Sequence, residues 1–249
     1  MTYPLAVQLY TLRHLPGNIR DLVRVVADAG YAGVEGGYGP ETSAEELRGV
    51  LDEHGLELVS AHVMLDVLET DLKRVVAAQR TLANDVIVIP WISNAHYGGD
   101  AESWQQLGER FNRAAQRVKG EGMTLLYHNH SFEFGRYGGQ LGLEHLLDSA
   151  PDVGLELDVG WCQEGDVDPL PLLDRYAGRV KRLHVKDRAP DGENAEQDGW
   201  ADVGHGVIDW PPLLRAAKDA GAEWFIVEHD EPTDPAQTIK RSFAYLESL

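Results

Sequence analysis

Four β-rich runs in the second half of this chain end in groups able to hold a cation or move a proton. They close on Tyr127-His-Asn-His-Ser-Phe-Glu133, Leu157-Asp158-Val-Gly-Trp161, Leu183-His184-Val-Lys186-Asp187 and Val227-Glu228-His229-Asp230. Carboxylates with one imidazole and no thiolate suit Mn2+, Mg2+ or Co2+ better than a structural zinc, although Zn2+ also accepts such ligands. A lone Asp after a strand is ordinarily a helix cap, and a lone His such as His184 is commonly a hydrogen-bonded rim residue. Glu228 differs, because it follows Trp224-Phe-Ile-Val227, where an unpaired carboxylate is costly. Four such groups at matching strand ends coincide by chance far less readily than any one of them.

Whether they converge depends on the elements that carry them. Short apolar runs recur along the chain at Leu5–Leu9, Gly33–Glu35, Leu56–His62, Val86–Pro90, Met123–His128, Gly154–Val159, Val180–Val185 and Trp224–Glu228. Helical signals lie between them. Ile19, Leu22, Val23, Val26 and Ala29 share one face, as a 3.6-residue period requires. Ser43-Ala-Glu-Glu46 reads as a capping box with Gly55 as its stop. Asp168-Pro169 and Asp209 before Trp210-Pro-Pro212 are further helix starts, and the last helix runs from about Asp234.

Alternating strands and helices call for parallel βαβ units. The uniform repeat, with no Gly-rich phosphate fingerprint after the first strand, favours a closed (β/α)8 barrel over an open sheet. The chain's 249 residues match one such domain, spanning 1–249. In a barrel the four strand ends are neighbours. Turns from helix to strand are short, whereas Trp91–Asp100, Asn129–Gln140, Trp161–Asp168 and Arg188–Gly206 are longer loops on the face where barrels place their sites. The Arg188–Gly206 loop is long enough to act as a lid.

Asp plus Glu total 41 against 22 Lys plus Arg, a formal charge of −19. That field repels phosphate backbones and anionic membranes, so neither nucleic acid nor a membrane is expected as a partner. Cys162 is the single cysteine, which rules out an intramolecular disulfide. The opening residues lack a charged segment followed by an apolar run, and no stretch approaches bilayer length; a cytoplasmic location is the expectation.

Taken in order, His128-Asn-His-Ser-Phe-Glu-Phe134, Leu157–Trp161, Leu183–Asp187, Gly204-His-Gly-Val-Ile-Asp-Trp210 and Val227–Asp230 resemble the xylose isomerase-like, sugar phosphate isomerase/epimerase superfamily of TIM barrels. Gln8-Leu-Tyr-Thr-Leu-Arg13 and Ser60-Ala-His62 resemble its first and third strands, so the similarity spans essentially the whole chain. The resemblance implies a Glu-Asp-His-Glu metal site on strands five to eight. Asp158, His184 and Glu228 map onto its last three positions. In ketose 3-epimerases the first Glu lies within strand five, where Tyr127 stands here. Glu133 is the nearest acid and is taken as the fourth ligand, with His128 or His130 as substitutes. One divalent ion is implied, Mn2+ first and Mg2+, Co2+ or Zn2+ after it. The implied substrate is a small sugar or cyclitol, and relatives include homodimers and homotetramers. Apurinic endonucleases share the barrel, but they need a basic DNA-binding face, and the charge argues against that.

The implied activity is sugar isomerisation or epimerisation. A ketose chelates the ion, which stabilises the enediolate formed when the α-proton leaves, and Glu133 and Glu228 are the catalytic carboxylates on its two faces. The alternative is a dehydratase or eliminase acting on an inosose, keto-sugar or 3-ketoglycoside; a further alternative is a non-catalytic sugar-binding barrel. His62, His128, His130, Trp161, Lys186 and His205 are the substrate-binding candidates. Lys186 follows His184 by two positions and so shares its side of the strand. Glu35, at the end of strand two, reads equally as a pocket residue or a structural ion pair.

Overall fold

In the computed structural model, residues 3–36, 42–93 and 99–249 are described. Among them, β1 (Leu5–Gln8), β2 (Gly33–Glu35), β3 (Glu57–His62), β4 (Val86–Ile89), β5 (Thr124–His128), β6 (Gly154–Asp158), β7 (Val180–Val185) and β8 (Trp224–Val227) pair in parallel. They close a barrel in which β1 bonds both β2 and β8. Helices α1 (Ile19–Ala29), α2 (Ala44–His54), α3 (Leu65–Thr81), α4 (Ala101–Gly120), α5 (Gly142–Asp148), α6 (Val159–Glu164), α7 (Pro169–Arg175) and α8 (Trp210–Ala220) connect the strands, and α9 (Pro235–Glu247) follows β8. The barrel expected from the repeat is therefore the fold, a single α/β (β/α)8 domain. Among the described residues no helix is long and apolar enough to cross a membrane.

Side chains alternate across each strand, and the two faces pack differently. Val7, Val34, Leu58, Ile87, Tyr127, Leu157, Val185 and Val227 join the helices in one large core. The opposite faces meet inside the barrel as two small apolar clusters, Ala6 with Val59 and Ile226, and Val86 with Val88 and Leu126. Above these clusters, toward the C-terminal strand ends, the interior turns polar. The strand pairing is irregular at two places. The β2–β3 pairing passes from Val34–Leu58 to Glu35–Ser60, and the β6–β7 pairing from Leu155–Val180 to Glu156–Arg182. Each slip skips one residue, the behaviour of a β-bulge, which re-aims neighbouring side chains. Both slips lie beside the acids of the polar layer.

The expected loop Trp161–Asp168 is helical for its first half, since α6 begins directly after β6. The Asn129–Gln140 segment contains a 3-10 turn at Phe132–Phe134, and Arg136–Tyr137 pairs with Gln140–Leu141 in a small ribbon. The Arg188–Gly206 loop is pinned. Asp187 and Arg188 pair antiparallel with Trp200 and Ala201, and the Asp187 carboxylate accepts from the backbone of Gly204, Gly206 and Ile208 and from Trp210 Nε1. Of the Trp91–Asp100 segment, residues 94–98 lie outside the described residues.

Candidate active site

The polar end of the barrel is built in two layers that share His128 and His184. In the outer layer one ligand atom each from His128, Asp158, His184 and Glu228 lie within 4.8 Å of one another, a spacing that suits a metal ion. His184 Nδ1 stands 3.0 Å from Glu228 Oε2 and 3.7 Å from Asp158 Oδ2, and His128 Nε2 stands 3.8 Å from the same Asp158 oxygen. All four side chains are buried. Asp158 serves as both cap and candidate ligand. Its Oδ1 accepts from Trp161 N at 2.8 Å, starting α6, while Oδ2 is buried with no hydrogen-bond partner. An orphaned carboxylate oxygen costs desolvation energy that a cation would recover. Two imidazoles and two carboxylates are an ordinary donor set for Zn2+, Mn2+ or Co2+, so the residues present fit a divalent ion.

The inner layer is Glu35, Glu156 and His62. His184 Nε2 lies 2.7 Å from Glu35 Oε2 and 3.1 Å from Glu156 Oε1. His62 Nε2 lies 3.1 Å from each of the two carboxylates, and His128 Nδ1 lies 3.2 Å from Glu156. Ser60 Oγ and Gln8 Nε2 also donate to Glu35. Burial alone would raise these acids, but the facing imidazoles more than offset it, so Glu35 is lowered and Glu156 is held well below the carboxylate range. His62 is displaced by burial in one direction and by Glu35 and Glu156 in the other; the carboxylates win, and its pKa rises to about 10.

A cleft of about 1270 Å³ opens over the outer layer. His62, His128, His130, Trp161, Lys186 and Glu228 all line it. Lys186 shares the inward side of β7 with His184. It is buried, bonds Asp230 at 2.7 Å, stands 3.5 Å from Glu228, and lies over the Trp161 and Trp200 rings. Burial opposes its charge, yet Glu228, Asp158 and Asp230 hold the ammonium above its ordinary pKa. The same neighbours act on Glu228: burial raises it, and Lys186 and His184 pull it well below the usual range. His130 is displaced down to about 2 by burial and by His128 and Lys186, so it faces the cleft as a neutral ring. His130 Nδ1 and Trp161 Nε1 are buried without partners, as hydroxyl-binding groups awaiting a polar ligand would be.

Two expected site residues are not brought there. Glu133 sits behind the cleft, because the 3-10 turn folds it back onto its own strand. Its carboxylate accepts from the Tyr127 hydroxyl and, at 2.9 Å, from the His130 backbone N–H. Tyr127 itself faces the helices, so the residue of β5 that points inward at the strand end is His128. The fourth corner expected of Glu133 is thus occupied by the substitute His128. His205 is exposed and away from the cleft; of its loop, Asp198 lines the cleft and Trp200 packs against Trp161 and Lys186. Glu156 was not singled out from sequence, although a signal was present. Two acids spaced two apart in Gly154-Leu-Glu156-Leu-Asp158 must share a face of a strand.

A family model described as xylose isomerase-like TIM barrel matches residues 23–249. The chain belongs to this family. It is 27% identical over 156 residues to an inosose dehydratase of Lacticaseibacillus casei, covering 57% of this chain and 52% of that protein; the chain thus spans about half the length of this relative. A rhizopine catabolism protein, MocC, of Rhizobium meliloti is 28% identical over 249 residues, covering 87% and 75%. An inosose dehydratase of Geobacillus kaustophilus is 27% identical over 256 residues, covering 88% and 82%. Among solved structures, a sugar phosphate isomerase/epimerase from Parabacteroides distasonis superposes with a TM-score of 0.83 at 22% identity, covering 100% and 97% of the two chains. An IOLI protein with a bound zinc atom superposes at 0.77 with 16% identity, covering 98% of each. At these identities the structural likeness establishes the shared fold.

Proposed function

We propose that this protein is a divalent-metal-dependent lyase that removes water from a keto-cyclitol or keto-sugar, with epimerisation at the α-carbon as the second reading. The observation that carries the proposal is the outer layer. His128, Asp158, His184 and Glu228 converge below a cleft, and an ammonium stands on one side of them. These four residues would hold a divalent ion, which would supply Lewis-acid stabilisation of the charge that develops on a ketone oxygen. Mn2+ is the first candidate, with Mg2+, Co2+ and Zn2+ after it.

The chain's own groups divide the proton transfers. Glu228 is the carboxylate that both belongs to the outer layer and lines the cleft, and it takes the α-proton. Lys186, held as an ammonium by Asp230, gives a proton to the departing β-hydroxyl. The C–H and C–O bonds break, water leaves, and a conjugated enone remains. Glu228 and Lys186 are 3.5 Å apart, so the proton gained by one can reset the other. His130 offers its unpaired Nδ1 and Trp161 its unpaired Nε1–H to substrate hydroxyls, and Trp161 supplies an apolar wall. Epimerisation by two carboxylates needs a second acid on the far face; Glu133, the expected one, is turned away, and two other acids lining the cleft are paired, Asp230 with Lys186 and Glu231 with Arg13, which supports elimination. The inosose dehydratase relatives point the same way.

The test is to incubate Mn2+-loaded protein with inososes and 3-keto-glucosides in deuterium oxide. Ultraviolet absorbance of an enone is expected with wild type. In Lys186→Met, α-deuterium incorporation continues while enone formation falls by about 10²–10⁴. Deuterium exchange with inversion and no enone establishes the epimerase reading instead; neither exchange nor product with any of these ketones contradicts both.

A further inference from the structure

His128 and His184 belong to two overlapping groups that each have ligand spacing, His62/His128/Glu156/His184 inside and His128/Asp158/His184/Glu228 outside. The groups face opposite nitrogens of the same two rings, and a neutral imidazole has one lone pair for a cation and one N–H, so each neutral ring serves one group at a time. The geometry assigns the inner carboxylates Glu35 and Glu156 as positioning residues that fix which nitrogen of each histidine faces the metal. This rests on the outer layer being the metal site, as proposed above.

Each ring presents its two nitrogens to different layers. His184 directs Nε2 at Glu35 and Glu156, 2.7 and 3.1 Å away, and Nδ1 at Glu228 and Asp158. His128 directs Nδ1 at Glu156, 3.2 Å away, and Nε2 at Asp158. A carboxylate that accepts the inner N–H leaves the outer lone pair free for a cation and makes it a better donor. The carboxylates are themselves held. Ser60 and Gln8 donate to Glu35, and Glu156 Oε1 meets His62, His128 and His184 together. The β-bulge that pairs Glu35 with Ser60 brings the anchoring hydroxyl to this depth. Glu35 and Glu156 are fully buried and do not line the cleft, as groups that act through the histidines rather than on a substrate should be.

The experiment uses Co2+ as probe, read by chelator competition and by its visible d–d spectrum, on the full chain with folding followed by circular dichroism. Wild type is expected to bind one Co2+, and Asp158→Asn, which loses a ligand, to bind none at equal concentration. Glu35→Ala should bind about 10–100-fold more weakly with a shifted d–d band. Glu35→Gln, whose amide oxygen can still accept from His184 Nε2–H, should recover the wild-type spectrum and most of the affinity. If Glu35→Ala does not fold, Glu35→Asp keeps the charge but shortens the reach and should show the same weakening and band shift. Unchanged affinity and spectrum in the folded Glu35 variant overturn the positioning role while leaving the outer site intact. Loss of Co2+ in Glu156→Gln with retention in Asp158→Asn places the ion in the inner group and overturns the proposed ligand set itself.

Discussion

Asp158 shows how one residue can satisfy two readings that compete in the sequence. One oxygen caps α6 and the other is left bare toward two imidazoles. Cap and ligand were alternatives for a lone Asp; in three dimensions they divide the carboxylate. Glu133 makes the opposite point. Its distance from the strand end suggested a ligand, but a single 3-10 turn sends it back to Tyr127 and the His130 amide. Burial pushes its pKa up to about 7, against the pull of those hydrogen bonds. A carboxyl raised in the folded state binds more protons there than when unfolded, so its contribution is fully present below about pH 4.5 and is lost as pH rises toward 7. Glu133→Gln mimics the protonated form. The variant should therefore be more stable than wild type above pH 7, by on the order of 3 kcal/mol at most, with the gap closing toward pH 4.5. Urea unfolding across that range checks it; a constant gap would mean that Glu133 is not protonated on folding.

The elements were largely legible. Each strand falls within a residue or two of its apolar run, because eight short β-rich segments separated by helical periodicity admit few arrangements. The register slips between β2 and β3 and between β6 and β7 were not legible, since a bulge adds one residue without a signature of its own here. Those slips matter for the site, as they sit beside Glu35 and Glu156. The loop after β7 was expected as a lid from its length alone. The structure ties it down through Asp187, whose two oxygens gather four backbone amides, those of Arg188, Gly204, Gly206 and Ile208, and the Trp210 indole. Asp187→Ala leaves those buried donors without an acceptor and should cost about 3 kcal/mol. Its loop, with Trp200 against Lys186, should become the first site of limited proteolysis. An unchanged digestion pattern would show that the loop holds itself without Asp187.

At the scale of the whole molecule, the fold concentrates Glu35, Glu156, Asp158, Glu228 and Asp230 around Lys186 and three imidazoles, within a chain of charge −19. A divalent cation that binds only the folded state stabilises it in proportion to its saturation. Mn2+ at about one hundred times its dissociation constant should add about 2.7 kcal/mol, raising Tm by roughly 2–4 °C per kcal/mol for a domain of this size. A chelator should reverse the shift, and Asp158→Asn should abolish it. A shift that survives in that variant would place the stabilising ion elsewhere.

One divalent ion held by His128, Asp158, His184 and Glu228 is what the site predicts, and metal content is the test. Protein purified without a histidine tag and reloaded with Mn2+ is passed through a desalting column and analysed for bound metal, alongside His184→Ala. About one equivalent in wild type and none in the variant is the predicted result. Equal metal in both, or none in wild type after reloading, would contradict it.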